Sequence, residues 1–325
     1  VILTVGVLYL PLIFNGGIIT DDWGDILESL NCSSFWQCYG DWFPLFSNRP
    51  LAPLPITLTT RLFTTHFSLY LFTNSAIYLA ALAITAKSLS PFLNLFSRQV
   101  FFLMAAVPFI AMPVIASPIN QLTATVAFLY WAISLRAVLK FRLNGNKIDY
   151  FLAYFFLLCG FLTYEIILPL LFFTSLLPAL IQPLDEPIKS KSIQEWFRYI
   201  KRFVMPVVIV LFLIILWQKA IAPHFMEVFS RLNFNPAHIT RILFTWAHLF
   251  LVQMPDLFIN ALPYLSIATA IPLLCLGVLF WVSNRQINTL EMRPSAIMMQ
   301  SSFAFLILAT ISLLSSSLIF ILTDE

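Results

Sequence analysis

Residues 67–86 read FSLYLFTNSAIYLAALAITA, a run of twenty residues without one charged side chain. As a helix rising about 1.5 Å per residue it is about 30 Å long, the thickness of a bilayer's hydrocarbon core. Runs of the same character lie on either side, at 1–15, 99–116, 121–139, 149–163, 166–182, 203–220, 257–282 and 297–322. They do not alternate apolar with polar residues, which argues against an outer-membrane barrel. Helices are then the fold that satisfies every backbone group inside lipid. The expected fold is an all-α polytopic transmembrane bundle of about nine spans, one domain over 1–325. Segment 240–256 stands open between a tenth span and an interfacial helix. Val1 falls inside an apolar run with no Met before it, so the chain is expected to start within its first span and to be truncated at the N-terminus.

Composition points the same way. Of the 325 residues 60% are hydrophobic and 10% charged, with a mean hydropathy of +0.89. A soluble domain carries about 25% charged residues, and much of its surface must face water. The thirty-three Phe against eight Gly suit helices packed in lipid. Charge then gives an orientation. With loop 15–66 outside, thirteen of the eighteen basic residues fall on the opposite side, and only Arg49, Arg61, Lys219, Arg231 and Arg241 share its side. The positive-inside rule puts the loops near 90, 144, 190 and 288 in the cytoplasm. The net charge of +3 is thus a signal of topology and gives no reason to expect nucleic acid as a partner.

The cytoplasmic connections are short and basic. The longest, 183–202, interleaves Lys and Arg with Trp196, Phe197 and Tyr199, a pattern expected of an amphipathic helix lying on an anionic leaflet. The outer loop 15–66 is long, acidic and aromatic, and its tail at 51–65 is apolar enough to lie along the interface. A second outer region, 221–256, holds His224, His238 and His248, which are spaced ten or more residues apart and lack a zinc-ligand pattern.

Asp21-Asp22 stands out in the first loop. Two adjacent carboxylates just after a span can supply a general base, because burial and like charge both raise a carboxyl pKa. They can also offer oxygen ligands to a divalent cation. The plainer reading is an acidic helix start, which Asp25 and Glu28 extend. Arg49, in Asn48-Arg49-Pro50, suits a phosphate because a guanidinium donates two parallel hydrogen bonds; contact with lipid head groups is the plainer reading. Arg61 carries the same ambiguity. Tyr164-Glu165 sits between two short spans, where an acid at membrane depth marks a functional site by default. Cys32 and Cys38 flank five residues of the outer loop, a spacing that permits a disulfide in an oxidising compartment.

In their order along the chain these features resemble the GT-C superfamily of membrane glycosyltransferases, within it the bacterial O-antigen glucosyltransferase group. The resemblance rests on Asp21-Asp22, a following Trp36 or Trp42, Arg49-Pro50-Leu51, Asn120-Gln121 in a tight outer turn, and Tyr164-Glu165, and it covers about the first 180 residues. It implies a bacterial inner-membrane enzyme that takes a sugar from a polyprenyl-phosphate donor and passes it to a glycan or lipid-linked acceptor outside the cytoplasm, usually with inversion. Asp22 or Asp21 would be the base, Arg49 would steady the donor phosphate, and Glu165 would orient hydroxyls. Tyr164, Arg61 and Trp23 complete the expected substrate-binding set. No cofactor is expected beyond a divalent cation at Asp21/Asp22. The rival readings are a transporter or lipid-linked-sugar flippase without transfer chemistry, and a membrane scaffold. A scaffold predicts that Asp21, Asp22 and Arg49 point in different directions with no cavity between them.

Overall fold

A computed structural model describes residues 13, 20–92, 119–180 and 193–225, and every regular element among them is helical. Three short helices precede the long ones: α1 (Thr20–Asn31), α2 (Phe35–Trp42) and α3 (Pro53–Phe63). The long helices are α4 (Phe67–Ser88), α5 (Asn120–Asn144) and α6 (Lys147–Thr163). A 3₁₀ segment, Glu165–Leu170, leads into α7 (Leu171–Leu180). Helix α8 (Ile193–Leu216) ends in a π turn, Trp217–Ile221.

Three helical stretches, Phe67–Ser88, Gln121–Asn144 and Phe197–His224, are long and apolar enough to cross a membrane. The protein is an integral membrane protein by this criterion. Spans expected at 67–86, 121–139, 149–163 and 203–220 fall on α4, α5, α6 and α8. That at 166–182 is split between the 3₁₀ segment and α7. The spans expected at 1–15, 99–116, 257–282 and 297–322, and segment 240–256, lie outside the described residues apart from Ile13.

One expectation is corrected. Residues 193–202 do not form a separate interfacial helix; they are the first turns of α8 and run unbroken into its apolar part. The physical reason is that no helix stop separates them. The only interruption is Pro206, and its consequence is met locally. A proline at 206 leaves the Arg202 carbonyl without its helical donor, and the Tyr150 hydroxyl donates to that carbonyl at 3.4 Å.

Side-chain contacts fix how the helices align. Thr125 donates to Asn74 at 2.5 Å, and one turn further on Tyr78 stacks on Phe128 at 5.5 Å, so α4 and α5 run parallel. Between α5 and α6 the chain reverses at Gly145, whose φ of +69° is the left-handed conformation that ends a helix most readily at glycine. Asn146 then caps α6 by accepting from the Ile148 amide. The indole of Trp131 donates to the Leu170 carbonyl at 3.0 Å, which ties α5 to the 3₁₀ segment, and Arg142 caps α7 at the Pro178 carbonyl. Tyr154 donates to the Phe203 carbonyl and joins α6 to α8.

The bundle therefore has two distinct ends. One gathers the starts of α4 and α5, the finishes of α6 and α8, and the layer α1–α3. The other gathers the opposite termini, with Lys87, Arg142, Lys147 and Arg202. A small apolar core of Ile26, Trp42, Ile56, Tyr70 and Ile119 joins the short helices to α4 and the start of α5.

Candidate functional site

The segment between α2 and α3 has no long regular element, and a series of tight turns folds it. The Phe46 amide donates to Trp42, Arg49 to Phe46 and Ala52 to Arg49. Different elements hold this segment from outside it. Tyr39 of α2 donates to the Pro50 carbonyl at 3.0 Å, and burial pushes its phenol pKa up. The Leu51 amide donates to the Leu162 carbonyl at the end of α6, at 3.0 Å. The indole of Trp217, in the π turn after α8, donates to the Ser47 carbonyl at 2.8 Å. Arg49 thus sits on a backbone braced by α2, α6 and α8.

Its side chain is only 10% exposed. One terminal nitrogen forms a short ion pair with Glu165 Oε1, and the Tyr164 ring lies 4.3 Å from the guanidinium carbon. Local geometry delivers these partners. Helix α6 stops at Tyr164, whose extended backbone (φ −162°, ψ 128°) swings Glu165 out of helical register into the start of the 3₁₀ segment. Gly160 allows the fold-back. A Cβ there would lie 2.6 Å from Ile167 Cδ1 and 3.2 Å from the Ala127 carbonyl.

The pair is incompletely satisfied. Arg49 Nε, Glu165 Oε2 and the Ser47 hydroxyl are buried and find no hydrogen-bond partner among the described residues. Each such atom costs about 1–3 kcal/mol when left without a partner, and buried charges carry a further desolvation penalty. The Thr57 and Ser134 hydroxyls share this condition, but Arg49 Nε and Glu165 Oε2 belong to one ion pair, where a ligand with hydrogen-bonding groups can meet both.

Among the residues expected to bind substrate, the structure brings Arg49, Tyr164 and Glu165 into direct contact. Arg61 is placed elsewhere. It donates to the Cys32 carbonyl at 2.7 Å and to that of Ser33 at 3.4 Å, just past the C-terminus of α1. A cation at that position meets carbonyls left open by the helix. Cys32 and Cys38 are joined by a disulfide across the α1–α2 connection. Asp21, Asp22 and Trp23 occupy the first turn of α1, where unpaired backbone amides favour negative charge. Their side chains lie outside the described part of the structure. Among the described residues no group of His, Cys, Asp and Glu could hold a metal ion. His224 is exposed, while His238 and His248 lie outside the described residues.

Tyr39 and Trp217 were not singled out by sequence. Trp217 stands at the end of an apolar run, the ordinary place for an interfacial aromatic, and nothing local marks it as the donor to a loop 170 residues earlier.

No family model matches this chain, and no curated protein or solved structure matches it either.

Proposed function

We propose that this protein is a membrane glycosyltransferase of the GT-C kind. It moves a sugar from a polyprenyl-phosphate-linked donor to a glycan or lipid-linked acceptor at the extracytoplasmic face of a bacterial inner membrane. The nine-span topology and the charge asymmetry belong to this reading. The observation that carries it is the pair of buried Arg49 and half-buried Glu165, braced by α2, α6 and α8 and holding hydrogen-bonding atoms without partners. A scaffold has no use for polar groups positioned so closely and left unsatisfied.

In the proposed reaction an Asp21 or Asp22 carboxylate takes the proton of the acceptor hydroxyl. The oxygen attacks the anomeric carbon as the bond from that carbon to the phosphate oxygen breaks. The electron pair leaves with the polyprenyl phosphate, and the anomeric configuration inverts. The base requires a hydroxyl within hydrogen-bond reach.

One observation favours a second reading. The chain interrupts its helical course at Tyr164–Leu170, and broken helices of this kind build translocation sites in transporters. The full chain in lipid nanodiscs, given a radiolabelled polyprenyl-phosphate hexose and an O-antigen-type glycan, separates the two. A new glycosidic bond is the expected result. No transfer from any hexose donor, with donor flipping in proteoliposomes that depends on Glu165, would replace the enzyme with a flippase.

A further inference from the structure

The expected role of Arg49 is to hold the donor phosphate, yet the guanidinium already carries an anion. Glu165 takes one of its terminal nitrogens, so the pair is neutral as a whole. A phosphate brought to the same guanidinium would also meet the second carboxylate oxygen, which has no partner among the described residues. Two anions would then share one cation in a poorly screened site, which like-charge repulsion opposes.

Among its buried atoms the pair leaves without a partner one N–H donor, Arg49 Nε, and one acceptor, Glu165 Oε2. A hydroxyl both donates and accepts, and neighbouring hydroxyls on a sugar ring can offer an acceptor to Nε and a donor to Oε2. The Arg49 guanidinium carbon lies over the Tyr164 ring, an aromatic surface beside the pair of the kind that packs against the apolar face of a sugar ring. Ser47 adds a further buried hydroxyl in the same braced segment. From these contacts we infer that Arg49 and Glu165 form a neutral saccharide subsite that reads ring hydroxyls, and that the donor phosphate is bound elsewhere. This inference rests on the proposed sugar-transfer reading and names which part of the substrate the pair contacts.

The test uses two probes on the full chain in nanodiscs: a panel of methyl hexopyranosides, followed by saturation-transfer NMR, and inorganic phosphate, followed by competition and calorimetry. The unmodified protein should bind at least one methyl hexoside and show no Arg49-dependent phosphate binding. Glu165→Gln turns the neutral pair into a net cation and removes the open acceptor. It should weaken hexoside binding tenfold or more and create phosphate binding. Since Glu165→Gln strands a buried guanidinium and can fail to fold, Arg49→Gln/Glu165→Gln serves as a second variant with no unpaired charge. It should lose hexoside binding by a similar factor and gain none for phosphate. Arg49-dependent phosphate binding by the unmodified protein, or hexoside binding untouched by the double variant, overturns the inference. Sugar transfer that persists in a protein without Arg49-dependent hexoside binding overturns it while sparing the proposed enzyme. Hexoside binding with no transfer from any donor has the opposite outcome: the subsite stands and the enzyme reading falls.

Discussion

The two ends of the bundle handle charge in opposite ways. At the basic end cations lie on aromatic rings or close helix termini. Arg202 sits 4.3 Å from the Phe141 ring, Arg142 caps the Pro178 carbonyl, and exposed Lys140 approaches Asp149 at 3.9 Å. Cations placed like this anchor helices at a membrane surface. At the loop end Arg49 is buried and its partner Glu165 half-buried, and the pair is braced from several elements and left with open valences. A charge that can reach water costs little to keep. One that is buried and half-satisfied persists where something else depends on it, so chemistry is sought at the loop end and topology at the basic end.

The sharpest way to break this contrast is sidedness. Asp41 and Lys147 are both exposed and belong to opposite ends. Asp41→Cys should react with an impermeant maleimide only from outside the cell, and Lys147→Cys only after the membrane is opened. Labelling of both from one face would undo the assignment of the ends.

Next in size is the base. Asp22→Asn or Asp21→Asn should lower sugar transfer by about 10²–10⁴-fold, as loss of a general base does, with the protein still monodisperse in detergent. Transfer at the unmodified rate in both single variants and in the double variant removes these carboxylates from the mechanism. A chelator applied to the unmodified protein tells a cation-holding role from a base.

Stability compares the ends directly. Arg49→Ala leaves half-buried Glu165 without its cation and should lower unfolding free energy by about 1–3 kcal/mol. Lys140→Ala, where the cation is exposed and Asp149 keeps its bond from Asn144, should change it by less than about 1 kcal/mol. Arg49→Lys keeps the charge but loses the fork and should fall between them, with impaired transfer. Equal thermal shifts for Arg49→Ala and Lys140→Ala would erase the distinction.

The smallest expected effect sharpens the contrast. Trp217→Phe keeps the ring and removes the indole N–H, which should cost about 1 kcal/mol for one hydrogen bond. Transfer should fall further than that loss of stability explains, because Ser47–Leu51 loses a brace. Unchanged transfer would mean that the other contacts hold the segment alone.

Much of the architecture was legible because it is written locally. Long apolar runs gave α4, α5 and α6. The start of α8 was misread because an amphipathic stretch looks the same whether it lies on a membrane or continues into it. At the candidate site, Arg49, Tyr164 and Glu165 drew notice as unusual residues in an apolar chain. Their mutual contact was not legible, since it depends on a backbone swing at Tyr164 and on the close approach that Gly160 permits. The role of Arg61 was hidden similarly, because its acceptors are backbone carbonyls that a side-chain pattern does not record.

The bond from Trp217 to Ser47 also has a bearing on biosynthesis. Its partners are 170 residues apart, and translation at roughly 5–20 residues per second separates their emergence by on the order of ten to thirty seconds. During that interval α1–α3 and the turns around Arg49 are already made, while the last brace is still inside the ribosome or the insertion machinery. The site is therefore finished late, by a helix that enters the bundle after α4–α7. A nascent chain halted before residue 217 would carry Arg49 and Glu165 but lack the contact from α8 that holds their loop. Maturation of the site is in this sense coupled to insertion of α8, and an insertion defect in that helix would leave an incompletely braced site at the far end of the chain.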